Sequence, residues 1–471
     1  MNTNYTPPKC PDGFSFVAAA TLFKNFGGLA VYVKYKKSSS RKIKVKQITS
    51  NFMWVICPDR EIIIQRNTYD TSAFVPHGES FDECLDFSLF NDYTLHQLGI
   101  EYVMTNFAHS TKTKNSRVLS KIEEDKRATV LSDSGGLQLA RGVSGLIHPI
   151  DLMNFYNNNV DAGMVLDFPL FLLDADEALL KRAAKLQKKH NEIMLKHSNG
   201  VELINIFHGH SLHQRQMFRE IVETPYITRC AIGGLYQHSL LTGTNIILDL
   251  ILNGVKYKQY HTLGIFSTLY LPVLVKLANS GWKPHITSDS TSHIQSAVLK
   301  MYHFQFDIFD RQLRLSIGNR ESIENTYKVL PCQCAVCSTI KYTDILGFGD
   351  NRFSTELLAI HNAIEMVRYT KQLQEACRHM TDKEYTKLAL SQLKGHKGIK
   401  DLQQTLDFIS MVNNYGLKAA RKKYTHYVES HKAKSILLPP SLFESREQVN
   451  LDSASTIDLL ARMEKQMGIK P

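Results

Sequence analysis

From about residue 100 onward, short apolar runs alternate with amphipathic stretches. The strand-like runs are Glu101–Phe107, Ala128–Asp133, Gly163–Phe168, Leu203–Phe207, Thr228–Ile232, Tyr260–Ile265 and His285–Ser288. Their starts lie roughly 25–40 residues apart, the length of one βα unit. The helical half is clearest from Asp174 to His197. It opens with Asp174 and Glu177 at capping-box spacing and repeats apolar residues at Leu179, Ala183, Leu186 and Ile193. It closes on Lys196 and His197, which suits the helix dipole. Phe52–Ile56 or Glu61–Ile64 is expected to supply an eighth strand. The repeat favours an α/β chain folded as a (β/α)8 TIM-like barrel over a doubly wound open sheet.

Polar residues sit where these strands end. Asp133 and Asp167 close two of the runs, His208 and the pair Gly233-Gly234 follow two others, and Asp289 follows His285–Ser288. In a barrel all C-terminal strand ends open on one face, where active sites are built. Any one of these aspartates suits a helix N-cap, but the whole set converging on one mouth suggests chemistry.

The chain has 471 residues, 43% hydrophobic and 21% charged, enough for a sizeable core and too apolar for wholesale disorder. No window approaches the roughly 18 unbroken apolar residues of a membrane span, so no membrane partner is expected. The run Phe14–Phe23 follows a single basic residue and precedes no cleavage pattern, so it reads as folded structure and not as a signal peptide. Eight cysteines in so long a chain do not make a disulfide scaffold, which points to a reduced, cytoplasmic setting.

The net charge is +11, and it is unevenly placed. Between Asp12 and Asp59 there are eight basic residues and no acidic one, and Lys371 to Lys434 holds 13 basic and 6 acidic residues. The two ends therefore carry the excess around a slightly acidic middle. A polyanionic partner such as nucleic acid explains this, as does a pair of solvated surfaces. Near the C-terminus, Arg421-Lys422-Lys423 interleaves with Tyr424 and Tyr427, in the manner of a phosphate-contacting surface with stacking rings or of a solvated helix with buried tyrosines.

The most specific local signal is Cys332, Cys334 and Cys337, followed after 23 residues by His361. Three thiolates and an imidazole make a closed tetrahedral zinc site of structural type. Glu356, Leu357, Leu358 and Ile360 place His361 on a helix facing the knuckle.

Three motifs together resemble the tRNA-guanine transglycosylase family. Ser132-Asp133-Ser134-Gly135-Gly136-Leu137-Gln138 looks like its Asp-Ser-Gly-Gly-Phe-Gln signature, and Ala231-Ile232-Gly233-Gly234-Leu235 matches its Gly-Gly-Leu turn. The Cys-x-Cys-x2-Cys knuckle with His361-Asn362 is similar to its zinc subdomain. The resemblance covers about residues 75–370. It implies a zinc-elaborated (β/α)8 barrel that exchanges guanine in a polynucleotide for a free 7-deazaguanine base. Carried over, Asp289 is the nucleophile and Asp133 the general acid/base. Asp167 reads the base, and Ser134, Gly234 and Leu235 complete its pocket, with His208 donating to guanine O6. Zn2+, held by Cys332, Cys334, Cys337 and His361, is the implied cofactor. The family's tendency to dimerise leaves room for a homodimer.

Several departures narrow the substrate. His208 stands where the family has Gln. Ser290-Thr291-Ser292-His293 follows the nucleophile in place of Pro-Thr-Arg, and Tyr236-Gln237-His238 follows the Gly-Gly-Leu turn. Ser338 to Asp344 replaces an arginine-rich continuation of the knuckle. The chain thus resembles most the DNA-modifying branch found in phages and bacterial modification islands. That branch replaces guanine in DNA with bases such as 7-cyano-7-deazaguanine, in the host cytoplasm where a phage encodes the enzyme. A divergent tRNA enzyme of the queuosine or archaeosine pathway and a non-catalytic nucleic-acid-binding subunit are the alternatives. The expected organisation is a basic N-terminal segment (1–70) that includes early barrel strands, a catalytic barrel (71–325), a zinc subdomain (326–370) and a basic helical C-terminal extension (371–471).

Overall fold

The computed structural model describes residues 13–19, 29–35, 44–49, 52–56, 60–66, 101–107, 129–140, 145–168, 176–265, 267, 269–290, 292–299, 303, 332, 334, 336–337, 352–393, 397–425 and 453–469. Strand β1 (Phe14–Ala19) precedes a separate antiparallel sheet of β2 (Leu29–Tyr35), β3 (Lys44–Thr49), β4 (Phe52–Ile56) and β5 (Arg60–Arg66), ordered β2-β5-β4-β3. Seven further strands follow: β6 (Tyr102–Asn106), β7 (Thr129–Asp133), β8 (Ala162–Met164), β9 (Glu202–Phe207), β10 (Arg229–Ile232), β11 (Gln259–Thr262) and β12 (Ile286–Ser290). With β1 they close an all-parallel eight-stranded barrel. Closure comes from β1, which pairs with β12 on one side (Phe14 opposite Ile286) and with β6 on the other (Val17 opposite Tyr102).

The expectation that Phe52–Ile56 or Glu61–Ile64 supplies the eighth strand is therefore corrected. Those segments pair antiparallel with each other, Trp54 opposite Ile63, in the separate sheet. The eighth strand is the start of the Phe14–Phe23 run. A side-chain clamp anchors it: Gln374 donates from Nε2 to the Phe14 carbonyl at 2.6 Å, and the Phe14 N–H donates back to Gln374 Oε1 at 3.3 Å. A long helix near the other end of the chain thus holds this strand in place.

The helices are α1 (Gly136–Ala140), α2 (Pro149–Asn159), α3 (Glu177–His197), α4 (Leu212–Val222), α5 (Leu240–Asn253), α6 (Tyr270–Ala278) and α7 (Ser292–Val298), interleaved with the barrel strands. After them come α8 (Arg352–His379), α9 (Asp382–Gln392), α10 (Ile399–Tyr415), α11 (Leu417–Lys423) and α12 (Ser453–Gln466). Helix α3 forms because its apolar stripe buries Leu180, Ala183, Ala184, Leu186 and Met194, each large side chain contributing about 1.5–3 kcal/mol. Its N-cap is Asp176, which accepts from the Leu179 N–H at 2.8 Å; Asp174, expected at the cap, lies outside the described residues. Ser211 and Gln214 form a full capping box on α4, and Ser239 caps α5.

The C-terminal extension packs on the barrel's helices. The boundary drawn at 370/371 falls inside α8, a single 28-residue helix. Tyr385 donates to the Pro272 carbonyl at 2.9 Å, and Lys276 reaches Ser410 at 2.6 Å and Asp382 at 3.4 Å. Arg182 on α3 grips the buried Glu464 of α12 through two hydrogen bonds, 3.1 and 2.6 Å. Among the described residues, no helix is long and apolar enough to cross a membrane.

Candidate active site and metal cluster

Strand ends carry the candidate residues to one mouth. Asp133 is the last residue of β7. Its Oδ2 accepts from Asn106 Nδ2 at 2.7 Å, and Asn106 closes the neighbouring strand β6. The same amide donates to Gln138 Oε1 at 3.1 Å, so the three side chains form one group. Burial first, then the charges of Asp167 and Asp289, raises the Asp133 carboxyl to about 7 against hydrogen bonds from Asn106 and the Gly135 N–H. The charges of both Asp167 and Asp289 thus act on Asp133, although β6 and β1 separate β7 from β12 around the barrel.

Asp167 lies three residues beyond the short strand β8, deeper in the fold than the sequence pattern implies. It is 6% exposed and held at both oxygens. Ser134 Oγ donates to Oδ1 at 2.9 Å, and His208 Nε2 meets Oδ2 at 2.9 Å. Behind it, the buried His190 donates from Nδ1 to the Leu166 carbonyl at 2.8 Å. Gly136 is required by this arrangement: a Cβ there would stand 2.9 Å from Asp167 Oδ1 and 3.0 Å from its carbonyl oxygen. His208 is fully buried, edge-on to Phe218. The family resemblance assigns it to guanine O6, whereas the structure sets its Nε2 against Asp167 Oδ2.

Gly233, before Gly234 and Leu235, packs on the same histidine, for a Cβ there would meet His208 Cε1 at 2.8 Å. Gly234 and the buried Leu235 begin the following turn. Arg215, buried in the first turn of α4, ties these pieces together by donating to the carbonyls of Gly233 (2.9 Å) and Phe207 (3.3 Å). Burial pulls its guanidinium down to about 9.

Asp289 lies within β12 and not after it, because that strand runs to Ser290. Its Oδ1 accepts from the Gly264 N–H at 2.8 Å and faces His261 Nε2 at 3.3 Å. None of the three aspartates is used as a helix N-cap in the hydrogen bonds described above. That work is done by Asp176, Ser211 and Ser239.

Cys332, Cys334, Cys337 and His361 bring their ligand atoms within 4.8 Å of one another, a cluster that can hold a metal ion. His361 Nδ1 lies 3.8, 3.2 and 3.4 Å from the sulfurs of Cys332, Cys334 and Cys337. A tetrahedral zinc with S and N ligands needs such edges at about 3.5 Å, so the donor set fits that ion. The other ring nitrogen, Nε2, faces the His303 carbonyl, which fixes Nδ1 as the coordinating atom. Asn362 reinforces the attachment, donating to the His293 carbonyl at 3.2 Å and accepting from the His303 N–H at 2.8 Å. His293 sits in α7, directly after β12, so the cluster is tied to the strand that carries Asp289.

Comparison of the chain with protein-family models and with curated proteins found no match.

Sequence reasoning missed Asn106 and His261. Asn106 is the polar residue near the end of the Glu101–Phe107 run, the same signal that flagged Asp133. His261 sits inside an apparent strand, where only its alternation with Gln259 marks a polar face. The basic run on α11 also takes a definite form. Arg421 is tied to α5, donating to Asn245 Oδ1 (2.8 Å) and Asp249 Oδ1 (2.7 Å), while Tyr424 packs edge-on to Phe408. Tyr424 thus belongs to helix packing. Tyr427 lies outside the described residues. Lys422 and Lys423 remain exposed.

Proposed function

We propose that this protein is a base-exchange transglycosylase that replaces guanine in DNA with a 7-deazaguanine through a covalent glycosyl ester on Asp289. The observation that carries the reading is that Asp133, at the end of β7, lies within electrostatic reach of Asp167, just past β8, and of Asp289, near the end of β12, and is poised near neutrality. A carboxyl with a pKa near 7 can both give and take a proton at physiological pH, as the two halves of an exchange demand.

In the first half, Asp289 Oδ2, which neither Gly264 nor His261 engages, attacks C1′ of the target nucleotide. The C1′–N9 bond breaks, and Asp133 passes its proton to the departing guanine. In the second half, Asp133 takes the proton from N9 of the incoming base, N9 attacks C1′, and the ester to Asp289 breaks. Two displacements retain the configuration at C1′. Asp167, held by Ser134 and His208, has lone pairs left to accept from guanine N1–H and the exocyclic amine. Adenine offers no such donor pair. Zinc on Cys332, Cys334, Cys337 and His361 would fix the knuckle against α7 and α8 and take no part in the bond changes.

DNA is favoured over tRNA because the residues after the nucleophile and after the knuckle depart from the tRNA enzymes' pattern, while the basic excess lies at the chain's ends, outside the resemblance. A guanine must leave the stack to reach such a mouth, so single strands or a flipped nucleotide are the expected substrate form. The test is to incubate the zinc-loaded protein with DNA or tRNA and with 7-cyano- or 7-aminomethyl-7-deazaguanine, then digest the polymer and quantify nucleosides. Incorporation into DNA that is lost in Asp289→Ala supports the reading. Incorporation into tRNA alone overturns the DNA assignment, and none into either polymer points to a nucleic-acid-binding subunit.

A further inference from the structure

Asp289 is the mouth end of a buried polar row that runs through the barrel wall. At the opposite end, Arg229 on β10 pairs with Glu202, which also meets Lys258 at 3.4 Å. Arg229 Nη1 donates to Gln259 Oε1, Gln259 Nε2 donates to Thr287 Oγ1 at 2.7 Å, and Thr287 Oγ1 meets His261 Nδ1 at 2.8 Å. His261 Nε2 then faces Asp289 Oδ1. Gln259, Thr287 and His261 are each 0% exposed. Strand register places them side by side: Arg229 opposite Gln259 and His261 opposite Thr287.

Donor and acceptor chemistry gives this row a direction. A guanidinium only donates, so the Gln259 atom facing Arg229 must be its oxygen, and the atom facing Thr287 must be its amide nitrogen. Thr287 Oγ1 therefore accepts from Gln259, and its single proton has His261 Nδ1 as its acceptor. Leaving that buried hydroxyl proton without an acceptor would be unfavourable. A neutral imidazole that accepts on Nδ1 carries its proton on Nε2, the atom facing Asp289.

We propose that Gln259, Thr287 and His261 form a one-way hydrogen-bond chain that fixes the Nε2–H tautomer of His261, so that it donates to Oδ1 of Asp289 and leaves Oδ2 as the attacking oxygen. His261 and Thr287 are positioning residues: they act on the substrate only through the carboxylate. The Gly264 N–H supplies the second donor to Oδ1. When the glycosyl ester breaks and charge returns to Asp289, both donors are already aimed at it, with no reorganisation to await. The structural half of this inference stands on the hydrogen-bond chain alone, and its role in turnover rests on the transglycosylase reading above.

The test uses the zinc-loaded full chain labelled with 15N in histidine rings, with the His261 signals assigned by their loss in His261→Gln. The wild type is expected to show a protonated Nε2 and a hydrogen-bonded, unprotonated Nδ1 at His261. Thr287→Val removes the donor to Nδ1 and should release the tautomer preference; Gln259→Glu reverses the chain and should move the proton to Nδ1. Base exchange should fall about 10–100-fold in kcat in both, with KM for the oligonucleotide within about twofold, and Thr287→Ser should restore it. Thermal melts identify any variant that loses its fold, and the wild-type tautomer measurement needs no variant. A proton on Nδ1 in the wild type overturns the proposal, as does a folded Thr287→Val that keeps both tautomer and kcat. If the tautomers behave as expected but no polymer exchanges its base, the chain stands and the transglycosylase reading falls. If exchange occurs with an Nδ1–H tautomer, the reverse holds.

Discussion

Replacing Asp133 with asparagine should remove catalysis and stabilise the protein, with the stabilisation confined to a defined pH range. In the folded chain the Asp133 carboxyl is raised from 3.8 to about 7, chiefly by burial and then by Asp167 and Asp289. A carboxyl whose folded pKa lies above its unfolded one holds its proton more tightly when folded. Its contribution to stability is fully present below about pH 4 and is lost as pH rises through 7. At about 1.4 kcal/mol per pH unit, that displacement sets a ceiling of about 4 kcal/mol on the cost of ionising Asp133 in the folded state. Residual exposure of the side chain lowers the figure, and roughly 1–3 kcal/mol is the realistic range. An asparagine side chain would carry no such cost, because it is neutral at every pH and its oxygen can keep the bond from Asn106. The assay is a pair of melts of wild type and Asp133→Asn at pH 8 and pH 5. The variant should melt higher at pH 8, by a margin that shrinks at pH 5. An equal destabilisation at both pH values would refute the claim that Asp133 is held near neutrality by burial and its two acidic neighbours.

Gly136→Ala should displace Asp167, whose Oδ1 would lie 2.9 Å from the new methyl, and cost about 1–3 kcal/mol in overpacking. Exchange should fall with a raised KM while circular dichroism stays native; unchanged kinetics would separate Asp167 from base recognition. Cys334→Ser should lower the metal content below one zinc per chain by elemental analysis and reduce the melting temperature, as should prolonged chelation of the wild type. Arg182→Ala leaves the buried Glu464 without its two hydrogen bonds and should loosen α12, read as faster amide hydrogen exchange over Ser453–Gln466. Binding of labelled DNA should weaken steeply with salt; insensitivity to ionic strength would remove the basic ends from the substrate grip.

The barrel was legible because the starts of seven of its strands recur at βα spacing, even though β11 (Gln259–Thr262) and β12 (Ile286–Ser290) are mostly polar. The eighth was not, because β1 is separated from its partner β6 by a whole antiparallel sheet. Chain order therefore gave no hint that Phe14–Ala19 closes the ring. Asp133 and the knuckle cysteines announced themselves by position and spacing. Asp289 was read as following its strand, whereas β12 continues through Asp289 to Ser290. His261 and Thr287 stayed hidden for a related reason. A polar row inside a barrel reads as ordinary strand until the register shows its members to be neighbours. His208 was visible in the sequence as the residue after a strand, but nothing in the chain order shows that its ring nitrogen is turned to Asp167.

The central claim is a covalent intermediate on Asp289, and trapping it is the most direct test. The zinc-loaded protein would be incubated with a guanine-containing DNA oligonucleotide without an incoming base, quenched with denaturant, and resolved on a denaturing gel before peptide mapping by mass spectrometry. The account predicts a protein–DNA adduct mapped to Asp289, absent in Asp289→Ala and dispersed when 7-deazaguanine is added before the quench. An adduct on another residue, or base exchange that proceeds in Asp289→Ala, would contradict it.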